Sequence, residues 1–364
     1  MQKFENRRYN SFNFGFIHLI VLPVVAVLIF AGYFIWKGWN QNTQIPLPEV
    51  KNPFVSQPTP TPFPFQEITI PSLRGREYKS TLSDLEKLSE PQSYTSYLTS
   101  FTSDGFKVYG LLTIPKSTSG EAKFPAIVFV HGYIPPREYQ TKLNYASYVD
   151  YLARNGFVVF KIDLRGHGNS EGEAGGAYYS DDYVVDTLSA YSALKSLEFV
   201  NPNAIGLWGH SMAGNVVFRS FVVGKNIPAT VIWAGAGYTY TDLQDYMIQD
   251  TSYKPPPPDS ERARERQKLR EAYGNFSPDN WFWKQVPATN YLDGVTGAIQ
   301  VNHAVNDNVV SIDYSRNLDS LLKQTNITHE LNEYQSGGHN LSGSVFNEAM
   351  QNTVDFFKKN LSSN

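Results

Sequence analysis

Residues 204–215 read Ala-Ile-Gly-Leu-Trp-Gly-His-Ser-Met-Ala-Gly-Asn. The apolar run over 204–209 has the length of a strand and the residues from Met212 to Val223 suit a helix, which predicts a strand–turn–helix with Ser211 at the turn. A serine so placed is presented at a sheet edge, with a helix N-terminus behind it that favours developing negative charge. Such a turn needs small neighbours, because its serine is strained and adjacent chains approach closely. Gly209 meets that need, but the second residue after the serine is Ala213, and glycine arrives only at 214. Alanine adds a single methyl, so we read Ser211 as a nucleophile; the alternative is a helix N-cap.

Working outward, the runs 125–132, 156–166, 204–211, 229–237, 298–307 and 329–334 are apolar and rich in β-formers. Helix-length segments lie between most of them, at 144–155, 183–197, 212–223 and 311–323, and 341–361 closes the chain. Runs apolar on both faces and separated by helices predict a mostly parallel sheet covered on two sides. Before them, 94–101 and 106–114 alternate around Ser103-Asp104-Gly105, which predicts a hairpin. Residues 238–296 separate two strands by far more than a usual loop and predict an inserted cap. The cap contains a charged helix, SERARERQKLREAYG, expected to be mostly a solvated face, and an aromatic patch at Trp281, Phe282 and Trp283, expected to pack a cap core.

A serine hydroxyl needs a base, the base an orienting carboxylate, and the developing oxyanion fixed donors. Of the seven histidines, His18 lies in the apolar N-terminal run, His131, His167 and His210 stand beside glycines in tight loops, His303 is mid-strand and His329 begins a strand. His339, in the Gly-rich QSGGHNLSG after the last strand, remains as the base. Asp307 closes a strand between serine and histidine in the chain and is the expected acid; Asp293, the rival, precedes its strand. The strand 126–130 ends in His131-Gly132, so the Tyr133 and Met212 amides are the expected oxyanion donors. This chemistry requires no metal or organic cofactor.

With these residues placed, the chain resembles an α/β-hydrolase, and within that fold the catalytic domain of the prolyl oligopeptidase family and its dienelactone-hydrolase and acyl-esterase relatives. The resemblance runs from about residue 94 to 360 and rests on FTSDGFKVYGLLTIPK, FPAIVFVHGY, DLRGHGNSEGE, IGLWGHSMAG, HAVNDNVVSIDYSRNL and GGHNLSG, in that order. It implies Ser211 as nucleophile, His339 as base, Asp307 as orienter and the Tyr133 and Met212 amides as oxyanion hole, with Arg165 structural. Two departures stand out: Ala213 replaces a usual glycine, and the stretch between tether and hairpin is too short for the β-propeller of the family's large peptidases. The resemblance therefore implies acyl transfer to water on a carboxylic ester or a small amide or peptide, the ester slightly favoured and a peptidase proper the alternative. A catalytically inactive binding module of the same fold is the reading from another class, supported only by Ala213.

The chain of 364 residues is 41% hydrophobic with a net charge of -3, which excludes disorder over its length and gives none of the basic excess a nucleic-acid partner requires. It has no cysteine, which excludes disulfides and thiol nucleophiles. From Phe16 to Trp36 no residue carries a formal charge, long enough for a membrane-spanning helix, and Lys3, Arg7 and Arg8 precede it. The expected organisation is a cytoplasmic N-terminus (1–15), a single transmembrane anchor in the lipid bilayer (16–36), a proline-rich tether (37–65) and an extracytoplasmic hydrolase domain (66–364) on the cell membrane. The run exceeds a signal-peptide core and ends without a small-x-small site, so it is read as uncleaved. Asn275, Asn326, Asn340 and Asn360 begin Asn-x-Ser/Thr sequons. A glycan on Asn340 would crowd His339, which favours a prokaryotic source.

Overall fold

The apolar runs pair edge to edge because each can bury both faces only inside a sheet flanked by helices. The computed structural model describes residue 37, residues 62–116 and residues 123–362. Among these lies one nine-stranded sheet in the order β1-β2-β3-β5-β4-β6-β7-β8-β9. The strands are β1 Glu86–Ser89, β2 Tyr94–Ser103, β3 Phe106–Pro115, β4 Phe124–Val130, β5 Val158–Ile162, β6 Val200–His210, β7 Ala229–Trp233, β8 Ala298–Ala304 and β9 Thr328–Tyr334. β1 to β3 run antiparallel, β3 joins β5 antiparallel, and β4 to β9 are all parallel.

Alternate residues of the parallel strands serve two separate cores. Ala126, Val128 and Val130 of β4, with Ile205 and Leu207 of β6, face a cluster closed by α2 (Asp182–Lys195), α3 (Met212–Gly224) and α5 (Asp313–Leu322). Ile127, Phe129 and Trp208 face the other, closed by α1 (Ala146–Arg154) and α6 (Phe346–Leu361). This period-two division is what a strand buried on both sides requires.

The chain order reverses across β4, with β5 on one side and β6 on the other, and the crevice beyond such a switch point is where open α/β sheets bind ligands. Register levels the strand ends there: Val130 pairs with Gly209, His210 with Trp233, Trp233 with Asn302, and Ala304 with Tyr334. Loops leaving β4, β6, β8 and β9 thus emerge along one edge.

The inserted cap carries α4 (Glu261–Tyr273), capped by the Ser260 side chain accepting from the Ala263 amide. Leu269 is the one buried residue of α4. It packs with Ile68, Tyr240, Phe282, Trp283 and Val286 in a small aromatic cluster. Trp281 differs from the expected core role: it is 55% exposed, while Phe282 and Trp283 are buried.

The N-terminal expectations need correction. Residues 16–36 and most of the tether lie outside the described residues. Among the described residues no helix is long and apolar enough to cross a membrane. Single-pass anchoring, the bilayer as a partner and an extracytoplasmic domain on the cell membrane are therefore unsupported and are withdrawn. An uncharged run of spanning length is a necessary feature of a transmembrane helix and does not by itself establish one.

Candidate active site

Ser211 sits between the last residue of β6 and the first of α3, with φ 56° and ψ −123°. A non-glycine residue pays about 1–3 kcal/mol in such a region and stays there only when its surroundings hold it. Here the Ser211 amide donates to the Trp233 carbonyl at 2.9 Å and the Gly214 amide to the Ser211 carbonyl at 2.8 Å. The geometry also explains Ala213. Its side chain is fully buried in the apolar cluster beneath α3, whereas a methyl on Gly214 would lie 2.6 Å from the Gly235 Cα. The close approach that demands glycine falls at 214, and 213 tolerates its methyl.

Asp307 and His339 come together from the loops after β8 and β9: His339 Nδ1 is 2.8 Å from Asp307 Oδ2. The other carboxylate oxygen, Oδ1, accepts from the Val309 and Val310 amides at 2.8 and 3.0 Å. The Asp307 side chain is inaccessible, and burial works against its ionisation. Hydrogen bonds from His303 and His339 and the His339 charge outweigh that penalty, holding the carboxyl well below the usual carboxylate range. His339 retains 14% side-chain exposure. No hydrogen bond joins the Ser211 hydroxyl to the His339 ring; the two loops are linked instead through His210, whose Nε2 is 2.8 Å from the His339 carbonyl.

The strand end after β4 completes the edge. A methyl on Gly132 would sit 3.1 Å from Ser211 Cβ, so this loop lies directly against the serine. The Gly132 amide donates to Tyr145 Oη at 3.0 Å. The Tyr133 amide makes no hydrogen bond among the described residues. Met212, the first residue of α3, has no intrahelical acceptor for its N–H.

The cap joins the two ends of this edge. Ile248 bridges Val310, the Gln249 amide donates to the Val309 carbonyl at 2.7 Å, and the Lys254 amide donates to Tyr133 Oη at 3.1 Å. Residues 247–254 therefore run from the loop beside Asp307 to the loop beside Gly132, and Tyr253 packs edge-on to Tyr133 with centroids 5.4 Å apart.

Two histidines passed over as the base lie in contact with these residues. His303 is buried on β8 with Nε2 3.1 Å from Asp307 Oδ2 and Nδ1 2.7 Å from Ser315 Oγ. His210 is buried with Nδ1 2.7 Å from Tyr145 Oη. A histidine four residues before the proposed acid, on the same strand, is a signal that could have marked His303; nothing local marks Tyr145. The rival acid Asp293 precedes β8, away from the strand end where Asp307 lies. Among the described residues no group of three or more His, Cys, Asp or Glu is arranged to hold a metal ion.

Several known proteins are similar to this chain. The family described as serine aminopeptidase, S33, matches residues 122–246. A thiohydrolase, aneE, of Aspergillus aculeatus is 32% identical over 143 residues, covering 39% of this chain and 42% of that protein. The chain spans less than half the length of the curated relatives it matches. Among solved structures, acetyl xylan esterase 1 from Thermoanaerobacterium sp. superposes with a TM-score of 0.54 at 17% identity, covering 83% of this chain and 95% of that one. A puromycin-hydrolyzing peptidase of Mycobacterium tuberculosis superposes with a TM-score of 0.56 at 18% identity, covering 76% and 41%.

Proposed function

We propose that the chain is a serine hydrolase of the α/β-hydrolase fold, as its matches suggest, and that it cleaves a carboxylic ester, or a small amide or peptide bond, through an acyl-enzyme on Ser211. His339 takes the hydroxyl proton during attack and returns it to the leaving group. Asp307 accepts from Nδ1–H, fixing the tautomer that leaves Nε2 free to act as base, and stabilises the imidazolium as it forms. The Tyr133 and Met212 amides receive the negative charge of the tetrahedral intermediate. Water then attacks the acyl-enzyme with the same groups in reverse order.

The observation that carries this reading is the 2.8 Å contact of His339 with buried Asp307 at the strand edge that also bears the strained Ser211. An ester is preferred over an amide because an amine leaving group demands more exact placement for protonation, and the cap supplies little to grip a peptide. The matched structures include both an esterase and a peptidase, each of which shows the fold alone.

The test is labelling by a fluorophosphonate, with Ser211→Ala as control, followed by turnover of p-nitrophenyl acyl esters against short peptide amides. Labelling of the wild type alone and faster ester turnover are expected. Faster amide turnover would transfer the assignment to a peptidase. Folded wild-type protein that neither labels nor turns over any substrate would leave a binding module of hydrolase fold.

A further inference from the structure

Between Gly132 and His339 the hydrogen-bond inventory permits a single neutral arrangement. The Gly132 N–H can only donate, and its acceptor is Tyr145 Oη at 3.0 Å. The His339 carbonyl can only accept, and its partner is His210 Nε2 at 2.8 Å. His210 must therefore carry its proton on Nε2, which in a neutral ring leaves Nδ1 as an acceptor. Nδ1 lies 2.7 Å from Tyr145 Oη, whose proton is the one available to it. The sequence of donors is Gly132 N–H to Tyr145, Tyr145 O–H to His210, and His210 Nε2–H to the His339 carbonyl.

We propose that Tyr145 and His210 are positioning residues: Tyr145 holds the His210 ring through Nδ1, and the ring holds the backbone of the proposed base against the serine turn. The inference rests on the reading of His339 as base and deepens it. His210 immediately precedes Ser211, and Gly132 immediately precedes the proposed donor Tyr133, so the relay ties the nucleophile, the oxyanion donor and the base to one another. It also commits the Gly132 amide to Tyr145, leaving Tyr133 to face the substrate.

Three further features fit. Tyr145 holds φ 62°, a left-handed conformation rare for a bulky residue, at the start of α1. The loop of His339 is braced on both sides of the contact: the Gly338 amide donates to Asn306 Oδ1 at 3.0 Å, and the Tyr148 hydroxyl to the Asn340 carbonyl at 2.8 Å. The His210 and His339 rings lie 4.6 Å apart between centroids, so a charged His210 would oppose the imidazolium that catalysis creates. Burial, reinforced by the neighbouring His339, draws the His210 pKa down to about 3 and keeps it neutral, while burial pushes the Tyr145 hydroxyl up and keeps it protonated. Asp307 and His303 are the other titratable groups whose fields reach His210.

The opposite tautomer would set the Nε2 lone pair against the carbonyl oxygen and push the loop of His339 away. Tyr145→Phe keeps the ring that packs on Phe129, Tyr148 and Trp208 and removes only the relay. The experiment records the imidazole nitrogens of 15N-histidine-labelled protein at pH 7 together with steady-state kinetics on a p-nitrophenyl ester. In the wild type His210 should show the neutral Nε2–H pattern alone. In Tyr145→Phe the His339 carbonyl still holds the proton on Nε2, so the Nδ1 resonance should move downfield as it loses its hydrogen bond, with kcat lowered roughly 10-fold to 100-fold and KM within about twofold, the range for a mispositioned catalytic group. His210→Gln, which can still donate to the His339 carbonyl, should retain several-fold more activity than His210→Leu. An unchanged Nδ1 resonance in Tyr145→Phe, or a shifted resonance with wild-type kcat, would overturn the inference. A wild type inert to every substrate would overturn the functional reading instead, and the nitrogen spectra would then decide the relay on their own.

Discussion

Two loops leaving the same edge of the sheet each take part in a network around a buried acid, and the two networks use it differently. After β5, Arg165 meets Asp186 through Nε and Nη2 at 3.0 and 2.7 Å, Asp182 through Nη1 at 2.9 Å and Asp104 through Nη2 at 3.1 Å. Asp186 also accepts from the Arg165 amide and the Ser103 hydroxyl. Arg165 is 6% exposed and Asp186 inaccessible, and each of the three guanidinium nitrogens is bound, while the outer acids Asp182 and Asp104 reach solvent. After β8, Asp307 is equally inaccessible, but one of its two histidines, His339, keeps an open edge. Carboxylates paired with a guanidinium can only hold the fold, whereas an acid whose partner is an imidazole can also do chemistry. Perturbed electrostatics marks both sites, and the partner of the acid, a guanidinium or an imidazole, separates them.

The largest expected difference comes from removing charge without shape. Asp307→Asn should lower kcat by about 10⁴-fold, because an amide stabilises the wrong tautomer and cannot support the imidazolium. Steady-state kinetics on the best ester would show it; a loss under tenfold would put Asp307 in the same structural class as Asp186. The same carboxylate has a pH signature. Its folded pKa is depressed, so its contribution to stability is fully present above the ordinary carboxylate value of about 4 and is lost as pH falls towards the folded value. Urea unfolding at pH 7 and pH 3 should find that the wild type loses more stability on acidification than Asp307→Asn does.

How much of this contrast can be read without coordinates differs between its parts. The parallel strands are legible because burial on both faces leaves unbroken apolar runs, as in β4 and β7. β1 is not, since Glu-Lys-Leu-Ser is a largely exposed edge strand whose pairing with β2 leaves no apolar pattern. Run 156–166 overstates its strand because Leu164, apolar in sequence, turns the chain with φ 51°. The Asp307–His339 pair could be reached from chain order and strand ends. Tyr145 and His303 could not be recognised, because their partners lie far along the chain or read as ordinary strand residues, and a contact made only by tertiary folding has no periodic trace. The apolar run 16–36 taught the reverse lesson: a clear pattern was assigned a role the described structure does not support.

Next in size is the structural network. Arg165→Met leaves Asp186 buried without its cation, and breaking a buried pair in this way costs about 3–5 kcal/mol. Chemical denaturation should show that loss while kcat/KM of the protein that remains folded stays within about threefold of wild type, since Arg165 touches none of the proposed reacting groups. A stability loss below about 1 kcal/mol would mean that the network is wetter than its burial indicates.

The smallest and most discriminating comparison removes one hydroxyl from each network. Ser103 donates to Asp186 at 2.6 Å, and Ser315 donates to His303 Nδ1 at 2.7 Å, the proton count that leaves His303 Nε2–H for Asp307. Both serines are buried, so either alanine should cost about 1–2 kcal/mol of stability through one lost hydrogen bond. Their kinetics should part. Ser103→Ala perturbs a network away from the proposed reacting groups and should leave kcat/KM unchanged, whereas Ser315→Ala removes one of the contacts that hold the His303 ring, whose Nε2–H faces both Asp307 Oδ2 and the Val310 carbonyl, and should lower kcat by roughly threefold to tenfold through positioning alone. Equal kinetics in the two variants would mean that Asp307 is held well enough by the Val309 and Val310 amides, and that His303 serves the fold as Arg165 does.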